Sequence, residues 1–544
     1  MDMDYETIRA EAKAAETRAI RTEKLKYLSI SVAVVLLVLL LWQLAVQFQL
    51  VNTRFFDSPL GVVETILNKI TDKKPDGGLL FQHIWASAKV VWLGFLLAAV
   101  IGIPLGLFMG WFRLCDRVIR PLFEVIRPIP SLAWIPIVLL FLGIGVEARA
   151  VIIFTGCFVA TVLNTYTGIR STNQTLVNVA KTCGAGNLKI FWTVGVPSAM
   201  PMIFAGLKTS MGSAWGTIVA AEMLASSNGL GYMIQMGRSF GDVSLIMAGI
   251  IVIGILGFVS SGIVSLVESM ALKWRPQEMK TTKNPWLEER GALYKLFYYL
   301  GPCLLIIAFL LLWQGIASGG KTTLPTPAAA LERLVTIWSG DIAKHPMIYH
   351  VGISMRRVLT ALIFSVAVGV PFGIAMGWNK TFRAIFKPLF EVIRPVPPIA
   401  WVPLFTLWFG TSEFSRVAII TMGVFMPIVI NSYSGVVMVP EINFQVGRVF
   451  GARSMDMLFD VVLPSSLNAI FAGIRTALGG GWMVLLASEM LGAREGIGFL
   501  IMQGSSANDL TLAIVGMVMI GAFGALFAYG FDFLERWLCP WKRK

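Results

Sequence analysis

Lys208 and Arg475 each stand seven residues before a tryptophan, Trp215 and Trp482. On a helix that spacing puts each pair on one face. Around them fall Ser210, Ser213 and Thr217, hydroxyls set in otherwise apolar sequence. Polar groups inside such runs are costly to bury and mark functional candidates. A basic pair with nearby hydroxyls would suit an anion. Lys and Arg at the end of an apolar run also serve as snorkelling anchors, and the residues alone leave both readings open. Glu222 and Glu489 close the same two runs, either at an outer gate or docking surface or as ordinary interfacial carboxylates. Other chemistries find little support. The five cysteines form no CxxC pair, and the three histidines, His83, His345 and His350, are scattered, so no metal site or disulfide framework follows. No catalytic constellation converges. Gly315 to Thr322 fits the pattern GxxxxGK[ST], but an apolar run precedes it and Leu-Pro-Thr-Pro follows. A phosphate cradle needs a strand before and a helix after, so no nucleotide site is expected there.

The elements that must position these residues are membrane helices. Of 544 residues, 56% are hydrophobic and 14% charged, and the mean hydropathy is +0.74. The runs from Leu28 to Val46 and from Val243 to Val267 are nearly uninterrupted, and a span needs about 20 apolar residues. The net charge of +14 fits Lys and Arg collected in cytoplasmic loops better than nucleic-acid binding. The first 27 residues mix charges and read as a cytoplasmic segment, not a cleavable signal.

The chain is also a duplication. The octapeptide PLFEVIRP at 121–128 recurs at 388–395, 267 positions along. The same shift carries His83 to His350, Trp215 to Trp482, Glu222 to Glu489 and Asp242 to Asp509. Such a repeat defines the architecture before any other feature. Each copy holds about six spans, near 27–48, 85–112, 131–145, 148–170, 197–223 and 243–270, then 296–316, 352–379, 398–411, 414–437, 464–490 and 510–537. The expected fold is all-α and polytopic, with about 12 transmembrane helices. Two tandem six-helix domains, 28–272 and 296–538, form a pseudo-twofold dimer. A basic linker at 273–295 and a tail at 539–544 complete it. Six is even, so the copies are parallel and both termini are expected in the cytoplasm. A passage would lie between them, with the first copy more polar: Thr155, Thr161, Ser213 and Thr217 stand where the repeat has Met422, Ile428, Gly480 and Val484.

Between the fourth and fifth spans each copy has a short helical stretch, a Gly, further residues and an apolar-x-apolar-Pro group. These run Gly184 to Pro197 and Gly451 to Pro464, with Lys189 and Arg453 inside and a short helix expected between Gly and Pro. These loops resemble the Glu-Ala-Ala loop of bacterial ATP-binding-cassette importer membrane subunits. RPIPSLAWIPI (127–137), RPVPPIAWVPL (394–404), AGLKTSMGSAW (205–215) and AGIRTALGGGW (472–482) are similar to the nitrate/sulfonate/taurine/bicarbonate branch. The resemblance covers nearly the whole chain, with two permease domains fused.

It implies that two cytoplasmic ATPase subunits, carrying ATP and Mg, seat the loop helices. An extracytoplasmic binding protein would deliver a small solute, and the fifth span would line the pathway. It also implies a bacterial inner-membrane location, with no cofactor on this chain. The loop's namesake Glu is absent: the aligned triplets are Asn178-Val179-Ala180 and Gln445-Val446-Gly447. The competing expectation is an ion-coupled carrier with two six-helix halves, which would need a buried acidic relay.

Overall fold

The computed structural model describes residues 26, 29–51, 56–272, 307–318 and 324–538. The linker 273–295, the tail 539–544 and nearly all of the first 27 residues lie outside this set, as does the start of the seventh span, 296–306. The first copy opens with α1 (Ser29–Gln47) and a short helix α2 (Pro59–Thr71), whose N-cap Ser58 accepts from Gly61 N. Then come α3 (Leu80–Trp111), α4 (Arg113–Ile126) and a 3-10 turn (Ser131–Trp134) leading into α5 (Ile135–Leu142). After α6 (Val146–Arg170) follow α7 (Gln174–Thr182), α8 (Asn187–Ile190), α9 (Val196–Ala225), α10 (Leu230–Phe240) and α11 (Val243–Ala271).

The second copy repeats the order. It has α12 (Ile307–Ser318), α13 (Pro327–Ser339), α14 (Met347–Trp378), α15 (Lys380–Ile393), α16 (Val402–Phe409) and α17 (Glu413–Val437). Then come α18 (Glu441–Val449), α19 (Ser454–Asp456), α20 (Leu463–Gly492), α21 (Ile497–Ser506) and α22 (Leu510–Leu538). A two-residue hairpin, β1 (Asp341–Ile342) with β2 (His345–Pro346), precedes α14. Ala343 and Lys344 turn it with positive φ.

Nine helices among the described residues are long and apolar enough to span a membrane. The third span expected in each copy differs. It is not one rod but a pair, α4 with the turn and α5, bent by 85°, and by 83° in the repeat. Helix contacts show that this bent pair still carries the chain across. Close approach of α3 to α6 runs in register. Gly94 meets Ala150 and Ile153, Gly102 meets Thr161, Gly106 meets Thr165, and Gly110 meets Ile169. Both partners advance together, so α3 and α6 are parallel. Consecutive spans can run parallel only if the segment between them returns to the starting side. The small residues let the two backbones approach within reach of each other's carbonyls. In contrast α9 runs antiparallel to α6, with Gly206 against Asn164 and Gly168 against Met202.

The loop helix differs too. No separate helix lies between Gly184 and Pro197. Instead α8 passes through a π turn, Phe191–Gly195, straight into α9, giving one helix from Asn187 to Ala225. Pro197 has no N–H to give to Thr193, so the ladder shifts register there, and Val196 N–H bonds Phe191 O. The repeat shows the same turn at Met457–Val462 before Pro464.

The copies meet by exchanging segments. Gly254 and Gly257 on α11 lie against Val396 and the Pro395 carbonyl of the second copy. Reciprocally, Gly521 and Gly524 on α22 face Ile129 and Pro128 of the first. The first helix crosses as well: Ser31 Oγ donates to Ala384 O at 3.0 Å, and Phe56 stacks on Trp408 at 4.5 Å.

Candidate functional site

The connections after α6 and α17 project from one end of the bundle. Gly184 and Gly451 sit at φ +78° and +74°, the left-handed region that closes α7 and α18. Leu188 and Trp192 in the first loop, and Val449, Phe450 and Met455 in the second, are exposed. Large apolar side chains clustered this way mark a contact surface. Lys189 is exposed at the tip, and Arg453 caps α19, its backbone N–H bonding Asp456 Oδ2 at 3.0 Å. Of the triplets standing where the glutamate would be, Asn178 and Val179 are exposed, whereas Gly447 is packed under Met457.

The seam between the fifth helices, α9 and α20, is the candidate passage. Gly216 faces Met483 and Pro397 of the other copy at ordinary contact distance. One turn nearer the loops, nothing lies within 4 Å of the position a Cβ would take at Gly212, nor at Gly479 in the repeat. The halves therefore part toward the loop end. At the opposite end they are tied, Arg238 Nη1 donating to Leu491 O at 3.2 Å.

The predicted pathway residues divide. Gly212 and Gly216, neighbours of Ser213 in sequence, border the seam. Lys208 forms an ion pair with Glu268 of α11, and Trp215 packs near Gly257 of the same helix. Arg475 pairs with Asp532 and Glu535 of α22, and Trp482 meets Phe527 there at 5.9 Å. The shared Lys–Trp and Arg–Trp faces thus exist, but they are turned to α11 and α22. Each cation is thus paired with an acid of its own copy.

Ser210 bonds Thr161 at 2.7 Å, and Thr217 approaches Ser131 at 3.2 Å. Both pairs are buried within the first copy. The repeat replaces each pair whole, with Ala477 and Ile428, and with Val484 and Pro398. Exchanging both partners strands no donor. Most of the polar excess of the first copy is therefore helix packing rather than lining, since Thr155 also bonds within its own helix, to Ile152 O. Trp215 and Trp482 are buried with unpartnered indole N–H groups.

Glu222 and Glu489 correct the docking-surface expectation, since both are 1% exposed. Each ties the turn that follows its helix. Ser87 Oγ lies 2.8 Å from Glu222 Oε1. Gly231 N donates to Oε2 at 2.8 Å, Leu230 N to Ser87 at 2.9 Å, and Gly229 N to His83 Nδ1 at 3.0 Å. The repeat rebuilds this with Ser354, Gly498, Ile497 and His350. Gly229 and Gly496 have φ +112° and +115°, and a Cβ there would strike the carboxylate. The ionic partners differ. Arg357 reaches Glu489 at 2.6 Å and also Glu413, whereas Arg149 stands 3.8 Å from Glu222. The roles of His83 and Ser87 escaped the sequence reading. The signal was present, since both recur at the 267-residue shift, as do Gly229 and Gly231 in the turn they hold.

At the start of α3, His83 continues into a feature of the first copy alone, whose other members lie outside the spans. Its Nε2 lies 3.1 Å from Asp76 Oδ2, and Asp76 also pairs with Lys69. Burial pushes the Asp76 carboxyl up, and contacts from His83 and Lys69 outweigh it, leaving it below the ordinary 3.8. A depressed acid stabilises above its ordinary pKa, and that contribution is lost as pH falls through the folded value. Amides of residues 72–79 should therefore exchange faster as the medium is acidified below about pH 4. Asp76→Asn should remove that dependence; an unchanged acid response in the variant would sink the assignment.

A two-halved helical permease with a seam between its halves and a projecting loop on each is the class these features define. The family described as binding-protein-dependent transport system inner membrane component matches residues 102–270 and again 369–544. The chain belongs to that family, and it is the permease component of an ATP-binding-cassette importer. The ion-coupled carrier is thereby set aside.

The chain is 36% identical over 221 residues to the taurine transport system permease protein of Escherichia coli, covering 40% of this chain and 80% of that one. It is 31% identical over 251 residues to a putative aliphatic sulfonates transport permease protein of Bacillus subtilis, covering 46% and 90%. It is 31% identical over 244 residues to the bicarbonate transport system permease protein of Synechococcus elongatus, covering 43% and 87%. Each relative thus matches less than half of this chain, in keeping with two domains in one polypeptide.

Proposed function

We propose that this single chain supplies both halves of an importer for a small anionic or zwitterionic solute of the sulfonate or carboxylate kind, driven by two separate ATPase subunits. The observation that carries this is the seam, open beside the two projecting loops and tied at the far end by Arg238 and Leu491. With the loops and both termini in the cytoplasm, this is an inward-facing state. Closing the ATPases would draw the loops together, and because α8 is continuous with α9, the movement would pass directly into the seam. ATP and Mg belong to the ATPases in this reading, and this chain holds no cofactor. An extracytoplasmic binding protein would deliver the solute to the end where Glu222 and Glu489 fix the turns. The solutes named for the relatives, taurine, aliphatic sulfonates and bicarbonate, set the class.

The test is reconstitution in liposomes with the ATPases and binding protein encoded beside it. Uptake of one such solute should require ATP and raise hydrolysis; uptake by the chain alone without ATP would overturn the proposal. Docking has its own check. Lys189→Glu with Arg453→Glu should reduce ATPase co-purification several-fold, and undiminished recovery with coupled hydrolysis would remove those residues from the contact.

A further inference from the structure

Two short helices, α2 and α13, are not spans, yet each turns large apolar side chains outward. In α2, Leu60, Val63, Leu67 and Ile70 are 50–67% exposed. Their spacing puts them on one stripe of the helix. Glu64, Asn68 and Thr71, also exposed, form the adjoining stripe. Val62, on the opposite side, is buried in the core. The second copy repeats all three sectors with different residues. In α13 the exposed apolar stripe is Leu331, Val335 and Trp338. Glu332, Thr336 and Ser339 make the polar stripe beside it, and Ala330 and Ile337 the buried side. A helix packed on a protein in water needs one apolar face, turned inward. Each of these has a second.

Both helices are pinned to the end of the span before them. Trp42 Nε1 donates to Asp57 O at 2.9 Å, and Leu60 N to Gln43 Oε1 at 3.2 Å. In the second copy Trp313 Nε1 donates to Pro325 O at 3.1 Å, and Ala328 N to Gln314 Oε1 at 3.4 Å. This is the end away from the projecting loops. Here His83 begins α3 and accepts from Gly229 N, and Arg333 of α13 pairs with Asp509, which caps the start of α22. Tryptophans at span ends mark the membrane–water boundary. The span that carries α2 shows Leu36, Leu37, Leu40 and Leu41 to the outside, as a lipid-facing helix does. The exposed stripe of α2 therefore hangs from a surface that already meets lipid.

We propose that α2 and α13 lie in the headgroup layer of the bilayer at that end, their apolar stripes sunk into the acyl boundary and their polar stripes in water. Helices held in this plane bury the apolar face by roughly 5–10 Å. The polar stripes carry Glu64 and Glu332 and no cation, so apolar burial holds the helices and a neutral phosphatidylcholine bilayer suffices. With one such helix in each copy, the pair would fix the height of the bundle in the membrane. The placement depends on neither the solute nor the ATPases, so a failed uptake assay leaves the following test intact.

The full chain, with its five cysteines replaced by alanine, is placed in phosphatidylcholine nanodiscs and given one nitroxide label at a time. The labels enter through Leu67→Cys, Val335→Cys, Glu64→Cys or Glu332→Cys. Leu37→Cys calibrates lipid and Lys189→Cys calibrates water. Relaxation of the label by dissolved oxygen is compared with relaxation by a water-soluble nickel chelate. Leu67→Cys and Val335→Cys should favour oxygen several-fold, as Leu37→Cys does, and Glu64→Cys and Glu332→Cys should favour nickel. The two copies are independent trials, so a variant that misfolds in one leaves the other to decide. Water-like readings at both apolar positions would overturn the proposal, and so would lipid-like readings at all four. Shielding of the apolar positions only after the binding protein is added would assign the stripes to that protein and overturn it as well.

Discussion

Glu489→Ala is expected to cost about 3–5 kcal/mol of stability, the range for breaking a buried ion pair by removing one partner. Arg357 is 1% exposed and lies 2.6 Å from Glu489. Its other acid, Glu413, is partly exposed and is shared with Arg416. Without Glu489 the guanidinium stays buried with half its compensation, and Ser354 and Gly498 N lose an acceptor. Glu222→Ala should cost less, about 1–3 kcal/mol, because it strands a hydroxyl and one backbone N–H but no closely paired cation. Arg149 keeps Ser226 and Asn228 as partners. Thermal unfolding of the two variants, purified identically, gives the comparison. Equal losses would show that the arginine does not distinguish the two knots.

Gly257→Leu should separate the halves where they cross. A Cβ at Gly257 would stand 3.1 Å from the Pro395 carbonyl. That oxygen belongs to a backbone held by prolines, which cannot swing aside as a flexible side chain could. Overpacking of this kind costs about 1–3 kcal/mol. Its larger effect should be on uptake, since the displaced RPVP segment leads directly into the turn at Pro397 that faces Gly216. A loss of ten-fold or more in reconstituted uptake is expected. Gly262→Leu is the control on the same helix, where no atom lies within 4 Å of the added Cβ. If both variants transport alike, the seam is softer than its contacts imply.

The helices and the duplication were readable because both are periodic signals spread over many residues. Apolar run length marks a span, and PLFEVIRP repeated whole leaves no doubt about register. Features decided by a neighbour far along the chain were not readable. The 85° bend before Ser131 lies in RPIP, where prolines signal a break but not its angle. Lys208 and Trp215 share a face as their spacing requires; what that face meets, Glu268 and Gly257, depends on how α11 packs. Glu222 reads as an interfacial carboxylate until Ser87, 135 residues earlier, is seen to close over it. In the loop, Gly and Pro correctly marked a turn and a helix start, but the π turn that fuses α8 to α9 depends on which carbonyl the missing proline donor leaves free.

The crossing of α1 to the second copy also sets an order of events during synthesis. Ser31 rests on Ala384 and Phe56 on Trp408, so this early span waits for partners made some 350 residues later. At roughly 5–20 residues per second that interval is tens of seconds. Through it α1 must remain in lipid with only its contacts to the next residues, such as Trp42 to Asp57 O, in place. Insertion of this chain is therefore a problem of holding an early helix as well as threading a late one. A break introduced between the copies would test whether assembly depends on the covalent tether or on that wait.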